Sequence, residues 1–146
     1  IDFDPARFGR FPDFGLLDGT TWYGHSKLYV QTFACELGRR LMPGGLVDVS
    51  VFSYCPGAVR SRISREAGLA GRIMTSYFIA PERAIWPAVY ASVSTDLEGQ
   101  SGRYFYLRQA AEPEDNASDP AAGAALWRRS LELLEGRKLP GVEALK

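Results

Sequence analysis

Charge of one sign, metal-ligating side chains and long apolar runs are all scarce in this chain. Seventeen Lys+Arg face seventeen Asp+Glu, and the formal net charge is +0. A nucleic-acid binder would carry a basic patch or stripe, so the balance argues against one. No apolar run reaches the ~18–20 residues of a membrane-spanning helix, and no signal peptide is visible. There is one histidine, His25, and there are two cysteines, Cys35 and Cys55. None has the spacing of a metal site, so no bound metal is expected. Two buried, reduced thiols in a cytoplasmic protein are the reading the cysteines support. No G-x-G-x-x-G turn follows a strand-like run. Internal repeats are absent, and low complexity is confined to an Ala/Asp/Glu-rich link. What is present is ordinary: 46% hydrophobic and 23% charged residues, the composition of a globular domain with a modest core.

Residues 1–18 read as an irregular entry, rich in phenylalanine and packed down on the body. Thr20 or Thr21 is suited to cap the helix that follows. Tyr23, Lys27, Val30, Ala34, Leu37 and Leu41 recur at helical spacing on one face. Leu28, Tyr29 and Phe33 widen the apolar surface, so cover on more than one side is expected. Pro43-Gly44-Gly45 stops the helix. Leu46 to Tyr54 reads as a buried parallel strand, and Pro56-Gly57 turns the chain at its carboxyl end. Ligands of open α/β sheets bind at that edge, where glycine lets backbone approach closely. Pro81-Glu82 starts another helix, with Ile85, Ala88 and Val89 inward and a kink or shifted start at Pro87. Gly102 to Leu107 reads as the last strand. Glu112 to Pro120 is a polar link, and Ala121 to Glu135 a terminal helix striped by Leu126, Trp127, Leu131 and Leu134.

Tyr23 and Lys27 carry the chemistry. At i and i+4 on a helix they share a face, about one turn apart. A free phenol has a pKa of about 10 and is a poor proton donor or base at neutral pH. A cation within about 4–6 Å favours the phenolate, and a phenol so tuned exchanges a proton with a carbonyl or alcohol oxygen. The plain alternative is an amphipathic helix with a half-buried tyrosine and a solvated lysine. His25 falls about 200° round the helix from Tyr23 and is not expected to act.

The run from Trp22 to Arg40, WYGHSKLYVQTFACELGRR, resembles the catalytic helix of the short-chain dehydrogenases/reductases, in the branch of the retinol dehydrogenases. VDVSVFSYCPGAVRSRI resembles that family's P-G-x-V-x-T loop, with Ser61 in the threonine place. PERAIWPAVYASVSTDLEGQSGRYFY resembles its next helix and last core strand. The resemblance implies an α/β fold, the C-terminal part of a Rossmann-type doubly wound parallel sheet. Residues 1–146 would then be the C-terminal portion of a single domain, without its N-terminal glycine-rich dinucleotide-binding half.

The resemblance implies an NAD(P)-dependent oxidoreductase, with NADP preferred over NAD. Tyr23 would be the proton donor or acceptor. Lys27 would lower its pKa and hold the nicotinamide ribose. Pro56, Gly57 and Val59 would border the nicotinamide, and the Ser61 hydroxyl would contact the cofactor. Ile63, Leu69, Ile73, Met74, Tyr77 and Phe78 would wall an apolar pocket for a small hydrophobic alcohol, aldehyde or ketone. The chain alone is expected not to turn over. The alternative is a non-catalytic interaction fragment, a homo-oligomer formed through the catalytic helix at Phe33, Leu37 and Leu41.

Overall fold

A short sheet sits between helical segments. The computed structural model describes residues 18–42, 49–60, 76–113 and 116–135. The elements are α1 (Asp18–Leu41), β1 (Phe52–Cys55), α2 (Pro81–Ala84), α3 (Trp86–Val93), a 3-10 turn (Thr95–Leu97), β2 (Arg103–Tyr106), β3 (Gln109–Ala111) and α4 (Pro120–Glu135). The fold is mixed α/β.

The sheet order is β1-β2-β3. β1 and β2 are parallel, from Phe52↔Arg103 to Cys55↔Tyr106. A parallel pair needs a long crossover, which α2 and α3 supply. Val51 extends the pairing: its carbonyl accepts the Gly102 N–H at 2.7 Å and its N–H donates to Ser101 Oγ at 3.1 Å. Paired residues share a face, so Phe52, Tyr54 and Phe105 lie together. Phe105 is 3% exposed. The rings of Phe52 and Tyr90 both meet it edge-on at 5.9 Å, so α3 covers this face through Tyr90. Burying the Phe105 ring contributes about 2–3 kcal/mol.

β2 is not the last strand. Leu107 and Arg108 turn the chain back into β3, which pairs antiparallel with β2 from Tyr104↔Ala111 to Tyr106↔Gln109. The sheet is therefore parallel only between β1 and β2. Leu107 takes φ +56° in that turn, a conformation that bulky L-residues seldom adopt. The sequence hid this hairpin because its usual Asn-Gly or Asp-Gly signal is missing.

α1 begins at Asp18, so Thr20 and Thr21 lie inside its first turn rather than capping it. Its buried face runs through Leu28, Tyr29, Thr32, Cys35 and Glu36, with Gln31 and Ala34 also buried. On the Tyr23 face, Tyr23, Lys27 and Val30 are exposed, Val30 to 62%, while Ala34 is buried and Leu37 and Leu41 are half-buried. α4 lies along α1. Trp127 stacks on Phe33 at 5.3 Å, and the Arg40 guanidinium covers the same indole at 4.6 Å. Between the helices, the Glu36 carboxylate accepts from Arg39 Nη1 and from Arg40 Nε, each at 2.7 Å. α4 starts where Asp119 Oδ1 accepts the Ala121 N–H at 2.9 Å. Pro120 occupies the first turn, where its missing N–H costs nothing, and Leu126 is 1% exposed in the core.

Pro87 settles the middle of the chain by starting a helix. α2 ends at Ala84, and α3 restarts with Pro87 in its first turn. The restart turns the expected inner face outward: Ile85 and Val89 are exposed, while Pro87 is buried. Of the cysteines, Cys35 is buried and Cys55 half-buried, and both are free. Cys35 packs beside Gly102, its thiol 3.7 Å from that carbonyl. Burial pushes the Cys35 thiol up, against a smaller downward pull from Arg39. β1 is shorter than the sequence run, which begins at Leu46. Its start at Leu46, and the stop at Pro43-Gly44-Gly45, fall outside the described residues.

Candidate active site

α1 brings Tyr23 and Lys27 together as the spacing requires. Tyr23 is 53% exposed and Lys27 is exposed too. The Lys27 ammonium lies over the Tyr23 ring, 5.1 Å from its centroid, where the negative face of the ring attracts it. The lysine thus sits on the ring face, and both groups open to the same side of the helix. Ser26 donates its hydroxyl to the Tyr23 carbonyl at 2.7 Å, tying the turn that holds the pair. His25 is buried on the other face.

A second group sits where β1 ends. Pro56 and Gly57 follow Cys55 directly, and both are half-buried. Gly57 has φ +77°, and a Cβ there would stand 2.7 Å from Leu107 Cδ2 and 3.3 Å from Ile79 Cδ1. Glycine is therefore required by its backbone conformation, and the ends of the Ile79 side chain and the 36%-exposed Leu107 side chain pack along its Cβ direction. The Leu107 N–H donates to the Cys55 carbonyl at 2.8 Å. On the other flank Val59 bridges Ile79 in parallel: Ile79 N–H donates to Ala58 O at 2.8 Å and Arg60 N–H to Ile79 O at 3.0 Å. Sequence reasoning missed Leu107 and Ile79 as residues of this loop, because each comes from far along the chain and carries no local signal.

Ser61 lies outside the described residues, as do Ile63, Leu69, Ile73 and Met74. Tyr77 is 88% exposed and Phe78 half-buried. Among the described residues no three His, Cys, Asp or Glu side chains gather as a metal site. Nor is any helix among them long and apolar enough to cross a membrane.

A parallel strand pair with a glycine loop at its carboxyl end, in a fold whose main helix offers a phenol and an ammonium, has the layout of α/β enzymes that bind ligands at strand ends. The chain is 32% identical to human retinol dehydrogenase 13 over 129 residues, covering 82% of this chain and 38% of that protein. It is 31% identical to mouse retinol dehydrogenase 12 over 115 residues, covering 77% and 35%. It is 27% identical to human polyprenol dehydrogenase over 116 residues, covering 76% and 35%. The homologues of this chain are retinol dehydrogenases of the short-chain dehydrogenase/reductase family, and that kinship makes its α/β fold part of a Rossmann-type domain. The chain spans little more than a third of the length of these relatives. No family model matches it, and no solved structure does.

Proposed function

We propose that this chain is the C-terminal portion of an NAD(P)-dependent oxidoreductase of the short-chain type, continuing a doubly wound parallel sheet. The observation that carries the reading is the exposed Tyr23–Lys27 pair, 5.1 Å from ammonium to ring centroid, on a chain homologous to dehydrogenases. In reduction Tyr23 donates its phenolic proton to the carbonyl oxygen, and in oxidation it takes the proton from the alcohol. Lys27 supplies positive charge beside the phenol and holds the ribose hydroxyls. Pro56, Gly57 and Val59 border the nicotinamide, and the Ser61 hydroxyl adds a contact. The cofactor, NADP in preference to NAD, supplies or accepts the hydride when bound.

A phenol, an ammonium and a strand-end loop are the groups that the nicotinamide end of such a ligand would need from the described residues. Those residues offer no glycine-rich turn for the pyrophosphate, so this chain alone does not turn over. The substrate is a hydrophobic alcohol, aldehyde or ketone, a class supported by the names of the retinol and polyprenol dehydrogenases. The test is to express the longest reading frame that carries this sequence. It is assayed with NADPH and an apolar aldehyde, and with NADP and the alcohol. Turnover that falls ~10²–10⁴-fold in Tyr23→Phe supports the reading. Full activity in that variant rejects it.

One observation favours a second reading, an interaction fragment that associates through α1. Val30, on the Tyr23 side of that helix, is 62% exposed. A Val30→Glu variant that changes the oligomeric state, in a protein with no turnover, would favour association over catalysis.

A further inference from the structure

We infer that Leu107 and Ile79 are positioning residues for the cofactor-side loop, holding Gly57 between them so that the backbone from Pro56 to Val59 presents one geometry to the nicotinamide. The inference rests on the proposed reading of the Tyr23 site and adds to it two residues from outside the motifs. Three observations converge on the loop. The Leu107 N–H binds the Cys55 carbonyl at 2.8 Å, at the last residue of β1. The Leu107 Cδ2 methyl fills the space beside the Gly57 Cα, only 2.7 Å from where a Cβ would stand. Ile79 closes the other side with its Cδ1 and with two backbone bonds, to Ala58 O and from Arg60 N–H.

Leu107 does this at a cost. Its φ of +56° is a strained conformation for a bulky residue. Asn or Gly would relieve that strain, and neither would put a branched methyl pair against Gly57. The hairpin between β2 and β3 is thus bent so that a leucine side chain reaches the loop after β1. A loop held from both flanks is ordered before its ligand arrives, and less of the binding free energy is lost in ordering it.

The experiment uses the longest reading frame that carries this sequence, with steady-state kinetics read separately for dinucleotide and alcohol. Leu107→Ala keeps the turn and removes the methyls. Its KM for the dinucleotide is expected to rise on the order of tenfold, with the alcohol KM within about twofold. Leu107→Asn, which tolerates the left-handed backbone, should show the same split and no greater loss of Tm. Leu126→Val serves as the purely structural control, lowering Tm with no change in dinucleotide KM. If Leu107→Ala does not fold, Ile79→Val removes one methyl from the other flank and should raise the dinucleotide KM by about two- to threefold. Dinucleotide KM values unchanged in the folded variants overturn the inference. With Tyr23→Phe inactive, that result leaves the catalytic reading standing; with Tyr23→Phe fully active, the catalytic reading fails instead.

Discussion

Alanine at Gly38 and alanine at Gly123 make the same chemical change in two helices, and the structure assigns them different outcomes. In an open helix each would gain about 1 kcal/mol, because glycine gives up more backbone freedom on folding. At Gly38 the new methyl would stand 2.8 Å from the Gly102 nitrogen and 3.1 Å from its Cα. That nitrogen cannot retreat freely, since its N–H donates to Val51 O at 2.7 Å and so anchors β2 to β1. Overpacking of this kind costs about 1–3 kcal/mol, and a weakened backbone bond adds about 0.5–1.5 kcal/mol. Against the propensity gain, Gly38→Ala should lose about 0.5–3.5 kcal/mol, a Tm drop of roughly 2–10 °C for a chain of this size. At Gly123 the nearest atoms are Glu36 Oε2 at 2.8 Å and Arg39 Nη2 at 2.9 Å, both ends of flexible side chains. Those ends can shift a few tenths of an ångström, but Glu36 Cβ at 3.2 Å is fixed to α1, so Gly123→Ala should cost less than Gly38→Ala, about 0–1 kcal/mol. Urea unfolding of both variants measures the pair. A Gly38→Ala protein more stable than the parent, or less harmed than Gly123→Ala, would refute the packing argument.

Other outcomes follow from the same contacts. Glu36→Gln removes the charge that both Arg39 and Arg40 hold at 2.7 Å and should cost about 1–3 kcal/mol in the same unfolding measurement. Tyr23→Phe deletes one oxygen from an exposed ring, so its unfolding midpoint should match the parent within about 0.5 kcal/mol even as turnover is lost. A large destabilisation would mean that the phenol is structural. Iodoacetamide at neutral pH should modify Cys55 well before Cys35, which mass spectrometry of the peptides reads directly. Equal rates would contradict the burial of Cys35. Because burial raises that thiol above its ordinary 9.0, the folded state keeps a proton that the unfolded chain releases. Its contribution is constant below that pH and declines as the pH rises beyond it, a loss of alkaline stability that Cys35→Ala should abolish.

Helical spacing and turn residues made α1, α3 and α4 legible, and β-type runs marked β1 and β2. Pairing Tyr23 with Lys27 followed from i, i+4 geometry, and their contact is present. Which side of α1 would be covered was not legible, since apolar residues ring the helix. The covered side is rich in polar groups, among them Gln31, Thr32 and Glu36. Glu36 is covered by Gly123 of α4, and Cys35 and Gly38 of α1 meet Ser101–Gly102, contacts that come from far along the chain. Ile85 and Val89 were expected inward, but Pro87 restarts the helix and is itself the buried residue, while Tyr90 reaches Phe105 with its ring edge-on and stays part-exposed. The flanks of the Pro56–Gly57 loop were hidden for the same reason: Leu107 and Ile79 reach it only through tertiary structure.

The length of α1 has a consequence of its own. Tyr23 and Glu36 are thirteen residues apart on one continuous helix, which is about 20 Å at 1.5 Å per residue. The end with the phenol stands in solvent, while the far end is held to α4 by the Trp127 indole, stacked on Phe33 and covered by the Arg40 guanidinium. Changes at the bolted end alter how firmly the helix is seated without touching the atoms at the open end. Sequence drift in the α1–α4 seam is thereby uncoupled from drift around Tyr23, and a single rigid rod lets the two evolve separately.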